Sequence, residues 1–241
     1  MFDATFITLY PEAFPGPLGV SILERARRDG HWSLNTVDLR AFGLGKHRQV
    51  DEKPAGGGAG LVLRPDVAAA AIDSVEVSER PLIYPSPRGA PFSQAMAQAW
   101  SEGPGLVFFC GRFEGLDQRV IENRQMVEVS LGDFVLAGGD VAAMAMLEAT
   151  LRLIPGVAGN QASIEDETFS HGLLEYPHYT LPRTWENRET PEVLLSGDHK
   201  AVDAWRNQQS EALTKQRRPD LWAASRNGPK LRASETDDEH D

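Results

Sequence analysis

The sequence has little of what builds several common classes of site. Its 241 residues include one cysteine, Cys110, so no disulfide can form within the chain. The six histidines show no His-x-x-x-His spacing and there is no Cys-x-x-Cys, which disfavours structural zinc and predicts no metal site. No stretch approaches the ~18–20 apolar residues of a membrane helix, and the N-terminus lacks the basic and apolar regions of a signal peptide. These absences predict a globular protein of the cytoplasm with no membrane partner.

The two common nucleotide-binding fingerprints are also missing. No Gly-x-Gly-x-x-Gly follows the first apolar run, and no acidic residue stands at the distance that a dinucleotide site needs. No Gly-Lys-Ser/Thr occurs, which excludes a P-loop. Nucleotide phosphates are therefore poor candidates for a ligand.

The net charge of −11 argues at first against a nucleic-acid partner. Five of the negative charges, however, lie in the last seven residues, and such an acidic tail is typically solvated and disordered. Basic clusters remain at 25–28, 46–48 and 215–218. Composition alone leaves the question of a nucleic-acid partner open.

Short apolar runs alternate with segments of helical spacing over the first 155 residues. The sequence predicts strands at 5–9, 33–39, 81–84, 106–110 and 126–129, and helices at 18–28, 66–72, 92–100, 116–123 and 140–153, with Asp140 as the N-cap of the last helix. This alternation predicts an α/β fold with a parallel sheet covered on both faces. Cys110 ends one predicted strand, where a small buried residue is expected rather than a catalytic thiol.

The pattern changes after Pro155-Gly156. Residues 159–170 are polar and acidic and are typical of a linker. Beyond Leu173 the sequence predicts no strand, and 200–214 has helical spacing. We therefore predict a larger domain at 1–158, an interdomain linker at 159–170, a small and mostly helical domain at 171–233, and the acidic tail at 234–241.

Three predicted strands are each followed by a loop that carries glycine, at 85–89, 111–115 and 131–139. Open α/β sheets bind ligands at the carboxyl ends of their strands, and glycine lets the backbone approach a ligand closely. Three such loops in one unit predict a composite pocket. Backbone amides and carbonyls among apolar residues suit a ligand with an adenine edge and little phosphate charge, such as S-adenosylmethionine. A fourth glycine-rich loop, 51–60, follows basic residues, and no strand is predicted to lead into it.

Several longer motifs carry a resemblance to a known family. They are Val50-Asp51 with the triple glycine 56–58, Tyr84-Pro85-Ser86-Pro87, Cys110-Gly111-Arg112-Phe113-Glu114-Gly115, Gly132-Asp133-Phe134-Val135-Leu136 with Gly138-Gly139, Arg152 before Ile154-Pro155-Gly156-Val157, Gly172-Leu173-Leu174-Glu175 with Pro177-His178-Tyr179-Thr180, and Leu194-Leu195-Ser196-Gly197-Asp198-His199. Together, over 6–206, they resemble the bacterial TrmD family of tRNA (guanine-N1)-methyltransferases, of the SPOUT class.

The resemblance implies a fold and an activity. The fold is a SPOUT-type parallel sheet with a deep trefoil knot, which is rare, formed by the three loops that hold S-adenosylmethionine. The protein would be a homodimer whose active sites use both subunits. The reaction would methylate N1 of the guanosine at position 37 of tRNA, beside the anticodon, when another guanosine precedes it. Magnesium use is also implied, although no ligand set for it can be read from the sequence.

The resemblance also assigns roles to residues. Those that would bind the cofactor are Tyr84, Pro85, Ser86, Pro87, Gly111, Arg112, Phe113, Glu114, Gly115, Leu131, Gly132, Asp133, Phe134, Val135, Leu136, Gly138 and Gly139. Those that would bind RNA are His47, Arg48, Asp51, Gly56, Gly57, Gly58, His199 and Arg217. Asp51 and the triple glycine would approach a guanine that has left the base stack, since a buried site cannot reach a stacked base.

Attack by guanine N1 requires loss of its proton, so the family places a carboxylate as general base directly before a Ser/Thr-Phe pair. Here that position is Glu167, whereas the family's usual aspartate lies one place earlier, at Asp166. Either the local register shifts and Asp166 is the base, or Glu167 serves with one more methylene of reach. Arg152 would stabilise the negative charge that develops on O6.

Two other interpretations stay open at the level of sequence. The substituted base position is compatible with a relative that binds RNA but has lost catalysis, and a methyltransferase of the same class could modify another RNA. Phe113 and Leu181 replace a tyrosine and an arginine that are frequent in the family, which puts one contact of each in doubt.

Overall fold

A computed structural model describes residues 1–158 and 172–227 of the chain. The chain divides into two compact units, Met1–Gly159 and Asn160–Asp241, and each is described by itself. None of the helices within the described ranges is both long and apolar enough to span a membrane.

The first unit is built on a five-stranded parallel sheet. Its strands are β1 (Phe2–Thr8), β2 (Trp32–Asp38), β5 (Leu82–Pro91), β6 (Gly105–Phe109) and β7 (Val127–Ser130), in the spatial order β2-β1-β6-β5-β7. All four pairings are parallel. The predicted α/β fold with a parallel sheet is therefore confirmed, and the strand bounds differ from the predicted ones by a few residues.

Helices cover both faces of this sheet. They are α1 (Ser21–Arg28), α2 (Pro65–Asp73), α3 (Gln94–Ser101), α4 (Gln118–Asn123) and α5 (Gly139–Leu151). Alternate residues of a strand point to opposite faces, so Phe6 packs in one core with α1, α3 and α5, whereas Ile7 packs in a second core with α2 and α4. Because both faces are buried, the central strand β6 is continuously apolar, as is usual in parallel sheets.

Strand β5 extends well beyond its predicted end at residue 84. It pairs with β7 at Ile83 to Pro85, and again at Ala90 and Pro91 after an irregularity. At Gly89 a Cβ atom would lie only 2.3 Å from the backbone nitrogen of Val129, so only glycine allows the two strands to approach this closely. The loop predicted at 85–89 is thus a distorted part of a strand.

Two other local predictions are wrong. Helix α5 has Gly138 as its N-cap, and Asp140 lies inside the first turn with its side chain buried. A two-residue strand, β3 (Asp51–Glu52), does lead into the glycine-rich loop and pairs with β4 (Val62–Leu63). Strands of two residues are too short to show an apolar period, so they cannot be predicted from the sequence.

The second unit contains a hairpin that was not predicted, formed by β8 (Thr184–Trp185) and β9 (Arg188–Glu189). Its two turn residues, Glu186 and Asn187, both have positive φ, which matches the turn type that joins closely paired antiparallel strands. Helix α6 (His199–Arg217) follows, and the Asp198 carboxylate accepts the Ala201 N–H at its start, at 3.1 Å. Helix α7 (Pro219–Asn227) ends the described chain.

Candidate functional site

The three segments predicted to hold a ligand surround one cleft, which lies at the distorted middle of β5 and at the carboxyl ends of β6 and β7. Its volume is about 290 Å³, close to the lower end for small-molecule sites. Every residue predicted to bind the cofactor lines this cleft except Asp133, which is exposed on the same loop. Sequence reasoning missed five further lining residues, all within three residues of a predicted one: Arg88, Val129, Ser130, Ala137 and Ala142.

Glycines bring the loops into direct backbone contact. The Gly139 N–H donates to the Gly111 carbonyl at 2.9 Å, which joins the start of α5 to the loop after β6. A Cβ atom at Gly111 would lie 2.7 Å from Cε2 of Tyr84, and one at Gly139 would lie 3.2 Å from Cα of Cys110. Side chains at these positions would push the loops apart, so the cleft wall there is bare backbone.

The side chain of Tyr84 packs against the loop after β6. Its ring is buried and packs edge-on against Phe109, with 6.2 Å between ring centroids. Burial raises the pKa of the Tyr84 hydroxyl above its ordinary value, so the group stays neutral at physiological pH. A hydrogen bond from the backbone of Leu116 also reaches this hydroxyl. Tyr84 therefore supports the loop and does not supply charge to the cleft.

Exposed apolar side chains form another part of the wall. Phe134 is 54% exposed, Val135 is 82% exposed and Phe113 is 49% exposed, although each lines the cleft. Phe113 also has a φ of 60°, an unusual conformation for a bulky residue, of the kind that concentrates at functional sites. Such apolar surface around a concave site is typical of ligand-binding regions.

The charges of the cleft leave one carboxylate without a counterion. Arg112 pairs with Asp140, with 3.1 Å between Nη2 and Oδ2, and Arg88 pairs with Glu128 at 3.3 Å. Within the described part of the chain, Glu114 forms no ion pair. Both cations lining the cleft are therefore neutralised, and the remaining charge favours a cationic ligand over an anionic one.

The glycine-rich loop at 51–60 ends beside the cleft. The Glu114 N–H donates to the Leu61 carbonyl at 2.9 Å, and the Leu63 N–H donates to the Gly115 carbonyl at 2.9 Å. A Cβ atom at Gly60 would lie 2.4 Å from the Glu114 side chain. The backbone thus holds this loop directly against a wall of the cleft.

The residues predicted to bind RNA lie in two places. In the first unit, His47 and Arg48 are exposed, and Gly56, Gly57 and Gly58 all have positive φ. In the second unit, His199 begins α6 and Arg217 ends it, and both are exposed. These positions are open to a large partner.

Of the residues predicted to be catalytic, the structure describes only Arg152. It caps the C-terminus of α5 and is partly buried, whereas the cleft lies at the N-terminus of that helix. Asp166 and Glu167 lie outside the described residues. Within 1–158 and 172–227, no group of three His, Cys, Asp or Glu side chains could hold a metal ion, so the implied magnesium does not fit a protein-built site there.

Cys110 provides a test of the core packing just after β6, directly before the cleft-lining Gly111. It is fully buried, and desolvation, with the nearby Asp140 charge as a smaller cause, raises the pKa of its thiol well above the ordinary value. Since the thiolate is the reactive form, we expect no reaction with Ellman's reagent at pH 8 in the native protein and one thiol per chain after denaturation. Rapid labelling of the native protein would contradict this packing.

Comparisons with known proteins agree with one another. The model of the family described as tRNA (Guanine-1)-methyltransferase TrmD matches residues 2–224. A protein of Cereibacter sphaeroides (strain KD131 / KCTC 12085), named tRNA (guanine-N(1)-)-methyltransferase, is 58% identical over 229 residues, which cover 92% of each chain. Proteins with the same name from Ruegeria pomeroyi, 57% identical over 92% of this chain and 93% of theirs, and from Brucella ovis, 52% identical over 92% of each, are also similar.

Proposed function

Since the chain belongs to the TrmD family and is a tRNA guanine-N1 methyltransferase, we propose that its methyl donor is S-adenosylmethionine bound in the cleft and that its target is the guanosine at position 37. The proposal that S-adenosylmethionine is the donor rests on the charge of the cleft. S-adenosylmethionine has a sulfonium and an ammonium group against one carboxylate. A wall with two neutralised arginines and the single carboxylate of Glu114 suits that net positive charge.

The shape of the cleft supports the same ligand. The backbone of the loop at 131–138, which belongs to no strand or helix, offers hydrogen-bonding groups to an adenine edge, and the exposed Phe134 and Leu136 offer apolar contact to its ring. We propose that Tyr84 to Pro87, 111–115 and 131–139 bind the donor, and that these segments form the trefoil knot of the family. When bound, the donor supplies a methyl group on positive sulfur, which is an electrophile.

The protein's own part of the reaction is to deprotonate guanine and to stabilise the charge that develops. We propose that Asp166 or Glu167 accepts the N1 proton as a general base. The guanidinium of Arg152 then stabilises the negative charge on O6. Asp51 and the glycines at 56–58 hold the extruded guanine beside the donor, because the end of their loop contacts Glu114 in the cleft wall.

The position of Arg152 supports an active site shared between two subunits. Helix α5 places its N-terminus at the cleft and Arg152 just beyond its other end. Thirteen residues of helix span about 20 Å, which is farther than an arginine side chain reaches. We therefore propose a homodimer in which Arg152 and the base act on the donor held by the partner subunit.

Exposed apolar residues on the first unit offer a surface for this dimer. Val20 is 60% exposed and directly follows the 3-10 turn Gly16–Gly19, and Val141 is 62% exposed on α5, which packs on that turn. Introducing a charge into an apolar interface is strongly unfavourable. We expect Val141→Glu to give a monomer by analytical ultracentrifugation and to lower methylation activity by at least about tenfold. A dimeric, fully active Val141→Glu protein would exclude this surface.

We propose that His47, Arg48, His199 and Arg217 contact tRNA phosphates, which position the substrate without reading its sequence. Because tRNA is the substrate, we place the reaction in the cytoplasm. In the domain organisation we propose, 1–158 binds the donor, 159–170 carries the base, 171–233 binds tRNA and 234–241 is an acidic tail.

Isothermal titration calorimetry tests the donor directly. We expect the purified protein to bind S-adenosylmethionine and its product S-adenosylhomocysteine, and to bind ATP at least about tenfold more weakly, because nothing in the cleft is suited to a triphosphate. Binding of ATP in preference to both sulfur ligands would contradict the proposed donor. A catalytically dead relative would bind the donor without transferring its methyl group, so a transfer assay on tRNA completes the test.

A further inference from the structure

The side chain of Arg112 lines the cleft, and several other contacts fix its position. None of these contacts has an evident catalytic purpose. The Nε and Nη2 atoms of Arg112 both lie 3.1 Å from Oδ2 of Asp140, and its Nη1 donates to the Ala137 carbonyl at 3.3 Å. The ring of Tyr10 lies beneath the guanidinium, 4.4 Å from its central carbon. Arg112 therefore joins the loop after β6 to the loop before α5 and to the end of β1.

Asp140 is the centre of this arrangement. Its side chain is only 6% exposed, and besides Arg112 it accepts a hydrogen bond from the Thr8 hydroxyl at 2.5 Å. These groups come from positions 8, 112 and 140, at the ends of β1 and β6 and the start of α5. Gly138 completes the set, because a Cβ atom there would lie 2.4 Å from Nε of Arg112. The lack of a side chain at 138 leaves the space that the guanidinium occupies.

The charge of this pair matters because of the proposed ligand. An arginine is always protonated in a protein, and a partly buried charge is poorly screened. Without Asp140, the guanidinium at the cleft wall would repel a sulfonium ion. It would have much less effect on the neutral thioether of S-adenosylhomocysteine, which differs from the donor only in lacking the sulfur-bound methyl group and its positive charge.

We propose that Asp140 is a positioning and specificity-determining residue for the methyl donor. It holds Arg112 across the cleft wall, and it cancels the positive charge that would otherwise select against the sulfonium. The proposal rests on S-adenosylmethionine being the ligand of the cleft. It explains what sets the ratio of the protein's affinity for the donor to its affinity for the product.

The test is the ratio of two dissociation constants, measured by calorimetry in the purified protein. In Asp140→Asn, which keeps the shape of the side chain, we expect the Kd for S-adenosylmethionine to rise about tenfold more than the Kd for S-adenosylhomocysteine. If Asp140 had a purely structural role, its replacement would weaken the binding of both ligands equally. An equal loss for both ligands, or no loss, would overturn the proposal.

Two further variants keep the test decisive if Asp140→Asn does not fold. Arg112→Gln removes the cation and leaves the carboxylate, so the ratio should change in the opposite direction and favour the sulfonium. In the double variant Arg112→Gln/Asp140→Asn both charges are absent, and the ratio should return close to that of the wild type. If the ratio of the two dissociation constants shows neither of these expected results, the proposal is wrong.

A matched control is available on the first unit. Asp73 pairs with Arg124 at 2.7 Å, on the surface and outside the cleft. Asp73→Asn removes a similar ion pair and should leave the ratio unchanged. If the wild-type protein binds neither sulfur ligand, the proposed donor fails together with this inference. If the wild type binds both and the ratio is the same in every variant, only the inference fails.

Discussion

Replacing the general base with alanine is expected to lower the single-turnover rate of methyl transfer by about 10²–10⁴-fold, the usual contribution of a positioned base. In the proposed mechanism the base acts on guanine N1–H and not on the donor, so the Kd for S-adenosylmethionine should not change. Asp166→Ala and Glu167→Ala, assayed separately, identify which carboxylate has this role. Single-turnover conditions are needed because they separate chemistry from product release.

The same segment offers a control. Glu165 is a third acidic residue directly before Asp166, so Glu165→Ala changes the local charge equally without touching either candidate base. We expect it to keep most of the wild-type rate. If Asp166→Ala and Glu167→Ala both keep wild-type rates, the proton is removed by another group and the proposed mechanism is wrong.

The second large effect is expected at Gly111. A Cβ atom there would lie 2.7 Å from Cε2 and 3.0 Å from the hydroxyl of Tyr84, whose buried ring also lies under Gly115 and against Phe109. Because the ring is buried and packed against these groups, we expect Gly111→Ala to displace the loop. Overpacking of this kind costs about 1–3 kcal/mol. Because the displaced loop lines the cleft, this free-energy cost should weaken donor binding by about 10–100-fold.

Gly103→Ala is the matched control for this substitution. Its nearest neighbour would be the Trp100 carbonyl at 3.4 Å, an ordinary contact, and it lies outside the cleft. Calorimetry should show an unchanged Kd for this variant. Thermal unfolding of both variants separates a local change at the cleft from a general loss of stability. Undiminished donor binding in Gly111→Ala would show that the cleft wall does not require bare backbone at this position.

Much of the larger unit could be predicted because its signals are local. An unbroken apolar run, such as 106–110, indicates a strand buried between two helical layers, and a glycine after a strand marks a loop where backbone is exposed. The cleft-lining residues at 84–87 and 111–115 follow from these two patterns. Their proposed roles in binding a donor rest on the family resemblance.

The rest could not be predicted because it depends on distant contacts. Asp140 has the position of an N-cap in sequence, but its partners Thr8 and Arg112 are 132 and 28 residues away. A buried ion pair competes successfully with a helix cap, because leaving either charge unpaired in the interior is costly. The β8–β9 hairpin was missed for another reason: strands of two residues, Thr184–Trp185 and Arg188–Glu189, are too short to show a period.

The most direct measurement of the central claim uses two tRNA transcripts that differ only at position 37. The protein is incubated with S-adenosylmethionine labelled in the methyl group, and the modified base is located by nuclease digestion and mass spectrometry. The account predicts one methyl group on N1 of guanine 37 in the first transcript and none in the second, which carries adenosine at that position. Equal methylation of both transcripts, or transfer to a guanine elsewhere, would contradict it.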